Sequence, residues 1–344
     1  MTPENRGSVR DQRKQVEAAI SRIRRNFPFE GYVRSESKAY HEVAETVVRW
    51  LRPGGSILDF GSGPCDKTAV LAALGYRCFA CDDLKDDWHL LGENRERIQS
   101  FARNARVEFI MTESLDRLPF NTHEFDMLMM HHVLEHLHDS PRDLVSKLLN
   151  FVKPEGLLYV TVPNAVNLHK RLRVVFGKTN LPPFECYYWY PGRWRGHVRE
   201  YDRSDLVRFC EFLGLEILQL RGVHHALHAI PHHLKLPWVF ATALVQGGRD
   251  TWSLVARKPP DWRPLSLSAD EVKGLMERYT TYRYEGVVLP GEQRSADDCL
   301  VSMGEANTAQ YRSRIALAFR SKERHSRVSP RLRFAVRALA SVGG

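Results

Sequence analysis

Two spacings of apolar residues alternate along most of this chain. The helical spacing comes first. Val16, Ala19, Ile20 and Ile23 recur near a period of 3.6 across residues 11–25, and Val43, Ala44, Val47, Val48 and Leu51 do so across 40–51, where Pro53-Gly54-Gly55 stops the helix. Short apolar runs then take turns with amphipathic stretches: strands are predicted at 56–60, 77–81, 107–111, 125–130 and 157–162, and helices at 67–74, 95–102 and 141–152. Such alternation builds a mostly parallel sheet wrapped by helices, an α/β fold of the Rossmann-like, doubly wound kind. A helix at 204–213 and strands at 215–220 and 251–257 bring the strand count to seven.

Two stretches break the pattern. Residues 164–201 are too long, too aromatic and too basic for an ordinary connector, and read as a lid or acceptor-binding insertion. The stretch between the last two strands holds His224, His225, His228, His232 and His233. Pro231 interrupts any helical ladder of ligands there and no acid joins the group, so it reads as an unstructured surface connection. Beyond Pro259-Pro260, helices at 270–279, 309–320 and 331–342 form a basic tail, the last with Leu332, Ala335, Val336 and Leu339 on one side.

Composition narrows the class. A chain of 344 residues with 43% hydrophobic content can bury one large α/β core and carry an appendage. No apolar run reaches membrane-spanning length and the first residues hold no signal-peptide core, so a cytoplasmic protein is expected. Six cysteines in this length are no disulfide framework, and Cys78 and Cys81, three apart on a strand, face opposite sides as buried thiols. The net charge of +9 gathers at 6–25 and 312–337, which raises RNA as a partner and, through Arg333 and Arg337 beside the apolar stripe of 331–342, a weak contact with an anionic membrane.

The chemistry starts at Ile57-Leu58-Asp59-Phe60-Gly61-Ser62-Gly63. A buried strand enters a glycine turn, a helix follows, and the next strand ends on Asp82, about 20 residues on, as a nucleotide-binding unit requires. Gly61 and Gly63 let the backbone turn sharply and approach a ligand. Asp66 stands where a dinucleotide fingerprint needs its third glycine, which disfavours a pyrophosphate. Downstream come Leu118-Pro119-Phe120, Phe125-Asp126, Val133-Leu134-Glu135-His136-Leu137, Lys153-Pro154-Glu155-Gly156 and Val162-Pro163-Asn164.

In this order and spacing the set resembles the class I S-adenosylmethionine-dependent methyltransferases, especially their small-molecule branch, over residues 40–258. The resemblance implies a seventh strand inserted antiparallel between the fifth and sixth. It implies a helical extension at 1–39, a methyltransferase domain at 40–258 with the 164–201 insertion, and a tail at 259–344. It implies S-adenosylmethionine as cofactor, its methionyl end on Asp59, Gly61, Ser62 and Gly63, its ribose on Asp82 or its neighbour Asp83, its adenine beside Glu113 and Ser114, and His131 close by. Cys65 replaces a glycine common in the family, and Ser114 a common aspartate.

Three histidines are candidates for the base that takes a proton from an acceptor hydroxyl: His136, His132 and His197. His132-x-x-Glu135-His136 also matches an inverted zinc-protease pattern, but it follows a strand here and not a helix pair. Ubiquinone-pathway O-methyltransferases carry E-x-x-E-H at this place and bind a divalent ion; with His132 in the first position no metal is expected. Tyr188, Trp189 and Trp194 offer flat faces to sugar rings, and Arg193 a partner for an anionic group, so the expected acceptor is a glycan or other small hydroxyl compound. Two rivals remain. The basic ends favour an RNA methyltransferase, against which no Asn-Pro-Pro-Tyr follows the fourth strand, and a non-catalytic cofactor-binding scaffold would carry the same loop.

Overall fold

The computed structural model describes residues 9–33, 38–112 and 115–279. Seven strands, β1 (Ser56–Phe60), β2 (Arg77–Asp82), β3 (Glu108–Met111), β4 (Phe125–His131), β5 (Val152–Pro163), β6 (Glu216–Val223) and β7 (Thr251–Arg257), form one sheet in the order β3-β2-β1-β4-β5-β7-β6. The first five are parallel, and β7 runs antiparallel to both β5 and β6. This is the topology that the methyltransferase resemblance implies. The strand order reverses between β1 and β4, so the crevice at their carboxyl ends is where such a sheet takes ligands.

Period-two alternation divides each inner strand between two cores. Ile57, Cys78, Ala80, Met127 and Met129 face one side, where they meet Val16, Ile20 and Ile23 of α1 (Val9–Asn26), Val43 and Val47 of α2 (Lys38–Trp50), Val70 and Leu71 of α3 (Asp66–Ala73), and Phe101 of α4 (Asn94–Asn104). Leu58, Cys81, Leu128, Met130, Leu158 and Val160 face the other, against Val145, Leu148 and Leu149 of α5 (Pro141–Asn150). Cys78 and Cys81 are therefore buried on opposite faces, and burial pushes the Cys81 thiol up to about 12. The N-terminal helix is a full member of the first core.

The segment after β5 holds α6 (Leu168–Val175) and α7 (Phe184–Tyr188), and α8 (Arg203–Phe212) then returns to the sheet through Leu206 and Cys210. The expectation of a loose connection between β6 and β7 is corrected. That stretch folds into single turns at Leu227–Ala229 and His232–Leu234 and a helix, α9 (Lys235–Leu244). Pro231 precedes the second turn, and Pro237 lies in the first turn of α9, where no backbone N–H is needed, so neither breaks the helix. An acid also joins the histidines: His224 bonds Asp250 at 3.1 Å and Thr242 at 3.1 Å.

The chain divides into two units after Pro264. Trp262 belongs to the first, its indole N–H donating to the Leu213 carbonyl at 2.6 Å. Of the second, α10 (Ala269–Tyr279) is described; the expected helices at 309–320 and 331–342, and with them the membrane-contacting stripe, lie outside the described residues. No helix among the described residues is long and apolar enough to cross a membrane.

The turn after β1 makes a tight packing demand. Gly61 has φ 72° and a Cβ there would stand 2.4 Å from Val133 Cγ2, whereas Gly63, at φ 54°, has open space where its Cβ would go. Both Gly61→Ala and Gly63→Ala incur the left-handed backbone cost of about 1 kcal/mol. Only Gly61→Ala adds overpacking of roughly 1–3 kcal/mol. Denaturant unfolding of the two variants should rank Gly61→Ala clearly below Gly63→Ala, and equal stability would contradict this packing.

Candidate active site

The turn between β1 and α3 is anchored from below and from the side. The Gly61 and Ser62 amides donate to the Cys81 carbonyl at 2.8 and 3.2 Å, and the Gly63 amide donates to Asp82 Oδ2 at 2.7 Å. Asp82 Oδ1 takes the Leu84 amide at 2.8 Å, so one carboxylate joins the turns after β1 and β2. Burial pushes its pKa up against the pull of those two amides. Cys65, which stands at the family's usual glycine, adopts φ 62° and is fully buried. The sequence departs from glycine there while the backbone keeps a glycine-like conformation.

Beneath the turn lies Asp59, whose Oδ2 accepts from Thr68 at 2.5 Å and whose Oδ1 has no partner. Its complete burial pushes its pKa up to about 7. Tyr40 donates to Asp66 at 2.6 Å, with the Lys67 ammonium 3.4 Å from the same oxygen. These groups border a cavity of about 220 Å³ lined by Tyr32, Asp59, Gly61, Ser62, Gly63, Pro64, Asp66, Lys67, Asp86, Trp88, His89, His131 and His132. A larger hollow of about 590 Å³ lies among α1, α3 and α4. Its lining of Ala73, Gly75 and Arg106 stands where β2 and β3 begin, the edge opposite to the one that binds ligands in such sheets.

The small cavity suits S-adenosylmethionine on its own chemistry. Asp59 Oδ1, both nitrogens of His89 and His131 Nε2 are buried without partners in its walls, and buried polar atoms are costly unless something bonds them. An acid beneath a glycine turn suits a cationic amino acid moiety, and the Tyr32 and Trp88 rings, 5.5 Å apart, supply flat walls.

The candidate histidines separate into two groups. His131 is buried, bonds Thr161 at 3.0 Å and is held well below its ordinary pKa by burial. His132 takes a left-handed φ of 56°, which turns its ring so that Nδ1 meets Glu135 Oε1 at 3.0 Å and Nε2 meets His225 Nδ1 at 3.1 Å. Glu135 is completely buried. His136 and His197 do not line the cavity. Their rings pack against one another at 5.1 Å, His136 Nδ1 donating to the Arg195 carbonyl at 2.8 Å and His197 Nδ1 bonding Glu200 at 2.8 Å. Glu135, His136 and His197 offer three ligand atoms within 4.8 Å of one another.

The end of the insertion closes over this edge. His138 bonds the Trp194 carbonyl at 2.7 Å, and the Val198 amide donates to the Glu135 carbonyl at 2.6 Å. Arg195 reaches across to Asp86 at 3.0 Å and Asp83 at 3.5 Å. Residues 193–199 thus clamp the turn after β2 to the turn after β4. Trp194 is half-buried in this arm, while Tyr188, Trp189 and Arg193 stand exposed.

Of the residues singled out by sequence, Asp59, Gly61, Ser62, Gly63, His131 and His132 meet in one cavity and Asp82 braces it. Asp83 faces Arg195 instead, and Glu113 and Ser114 lie outside the described residues. Sequence reasoning missed Tyr32, Lys67, Trp88, His89 and His225. Trp88 and His89 follow the acidic run 82–87 and were within reach of a reading of that turn; Tyr32 and His225 arrive from distant segments and carry no spacing signal.

The family described as a methyltransferase domain matches residues 32–220. No curated protein matches the chain in sequence. Solved structures similar to it include the 1,6-didemethyltoxoflavin-N1-methyltransferase of Burkholderia thailandensis, at 13% identity over 75% of this chain and 93% of that one with a TM-score of 0.43. A SAM-dependent methyltransferase from Aquifex aeolicus shows 13% identity over 69% and 97%, TM-score 0.41. The [4+2]-cyclase SpnF shows 19% over 64% and 81%, TM-score 0.42. With the family match spanning more than half its length, the chain belongs to the methyltransferase-domain family and is an S-adenosylmethionine-dependent methyltransferase.

Proposed function

We propose that this enzyme methylates a hydroxyl group of a small or sugar-like acceptor and that His132 takes the hydroxyl proton. The cofactor supplies an electrophilic methyl group, so the protein's work is to align the acceptor and remove its proton. The observation that carries the reading is the Glu135–His132 pair at the wall of the cavity: of the three histidine candidates, His132 alone lines it. A carboxylate only accepts, so Glu135 fixes the tautomer in which His132 Nδ1 carries hydrogen and Nε2 carries the lone pair. His225, pushed by burial down to about 3, stays neutral and donates from Nδ1 to that lone pair until a hydroxyl replaces it. The buried carboxylate then stabilises the imidazolium that forms.

Asp59, Gly61, Ser62 and Gly63 would hold the methionyl end of the cofactor, and Asp82, with lone pairs left beyond its two amide bonds, would hold the ribose. Trp194 and the neighbouring Tyr190, 5.2 Å apart, support an acceptor with a flat apolar face, while Tyr188, Trp189 and Arg193 would serve it from further out. A second reading rests on Glu135, His136 and His197, whose one carboxylate and two imidazoles suit a divalent ion beside the base.

Two outcomes are expected. In the free enzyme Asp59 is protonated below about pH 7, and a cationic ligand at this site favours its ionised form. Binding then expels a proton. Affinity for S-adenosylmethionine should rise with pH toward 7, by at most about tenfold per unit, and level off above it. Calorimetry in buffers of different ionisation heat checks this, and a flat profile, or one that Asp59→Asn leaves unchanged, contradicts it. For the base, His132→Ala should lower kcat by about a hundredfold or more with cofactor affinity retained, while EDTA leaves the wild-type rate unchanged. Full rate in His132→Ala removes the base; loss in EDTA that a divalent ion restores moves the chemistry to the metal reading. RNA as the preferred acceptor, with affinity falling steeply in salt, would replace the sugar reading.

A further inference from the structure

The edge of the sheet that carries the cavity also carries a group of short helices that the fold leaves without cover. Of α6 and α7 no residue is buried, and of α9 only Thr242 is. Helices this short do not persist in water by propensity alone and depend on packing an apolar face. Yet Leu236, Phe240 and Leu244 form one i, i+4, i+8 stripe on α9 with exposures of 82%, 67% and 72%, and Val175, Phe176 and Trp189 in the α6–α7 region stand 77%, 75% and 77% exposed. The first helix follows the carboxyl end of β5 and the last precedes the start of the antiparallel β7, so both arise at the same edge. Their roots are joined: the Leu168 amide donates to the Gly248 carbonyl at 3.0 Å, and Arg171 donates to the Gln246 carbonyl at 2.8 Å.

Charge identifies what covers this surface. Residues 164–184 and 217–249 contain no Asp or Glu, while they carry Lys170, Arg171, Arg173, Lys178, Arg221, Lys235 and Arg249, of which Lys170 pairs with Glu200 and Arg221 with Glu42; α7 adds one exposed acid, Glu185. Arg171 and Arg173 hydrogen-bond backbone carbonyls and form no ion pair among the described residues, nor do Lys178 and Lys235. A second copy of the same cationic face would be repelled. An apolar stripe accompanied by cations that form no ion pair among the described residues, with Tyr188 and Trp189 exposed at the end of α7, has the composition of a surface lying in the headgroup region of an anionic bilayer. We propose that α6, α7 and α9 form a face that docks the enzyme on an anionic lipid surface. This surface is distinct from the 331–342 segment and stands whichever acceptor the enzyme takes.

The test is sedimentation of the full chain with vesicles of phosphatidylcholine alone and of equimolar phosphatidylcholine and phosphatidylglycerol. The wild type should sediment with the anionic vesicles and stay in solution with the neutral ones. The exposed-site variant Phe176→Ser/Phe240→Ser should bind the anionic vesicles at least tenfold more weakly, with S-adenosylhomocysteine still bound as proof of folding. The charge variant Lys178→Glu/Lys235→Glu should lose the preference for anionic lipid. Wild type that ignores both vesicles overturns the proposal, as does a serine variant that binds like wild type, which would locate binding elsewhere. A wild-type dimer or protein complex that the serine variant dissolves, without lipid binding, would make the face a protein interface and overturn it equally.

Discussion

One carboxylate holds the working edge of this enzyme together. Asp82 ends β2 and accepts one amide from the turn after β1 and one from the turn after its own strand. The turn after β1 has a second constraint, since Gly61 meets Val133 with no room for a side chain. The glycine turn is thus held between the ends of β2 and β4. Burial raises the pKa of this carboxylate, and the two amides, each a charge-assisted bond, offset part of that penalty. If the brace failed, the cradle over Asp59 and the wall formed by His131 and His132 would lose their spacing.

The rest of the edge is built out from this brace by contacts that run between turns. Arg195 joins the acids after β2 to the arm of the insertion, and the carbonyls of Trp194 and Arg195 receive His138 and His136 from the turn after β4. The insertion therefore does two jobs. Its final residues close the site, and its helices α6 and α7 carry apolar side chains outward. The histidines follow the same division. His132 is turned toward the cavity by its left-handed backbone, whereas His136 and His197 are occupied with fastening the arm.

The sheet was legible because strands buried on both faces show as short apolar runs between turn residues, and the antiparallel β7 between β5 and β6 came with the motif resemblance. The glycine turn was legible for a similar reason: Asp59, Gly61, Gly63 and Asp82 lie on one unit whose spacing is set by local geometry. The base was not. His132, His136 and His197 are chemically equal in sequence, and only the tertiary positions of Glu135 and His225 separate them. α9 was hidden by Pro231 and a cluster of histidines that suggested a loop, although Leu236, Phe240 and Leu244 keep a helical period. Tyr32 reaches the site from a segment 27 residues before Asp59, and no pattern within either segment announces that meeting.

The central claim is that the brace around Asp82 forms the cofactor site, and titration calorimetry with S-adenosylhomocysteine tests it most directly. Wild type should bind one equivalent. Asp82→Ala, which loses a charge-assisted contact together with the brace, should bind about ten- to hundredfold more weakly. A wild type that does not bind, or an Asp82→Ala enzyme that binds equally well, would contradict the account.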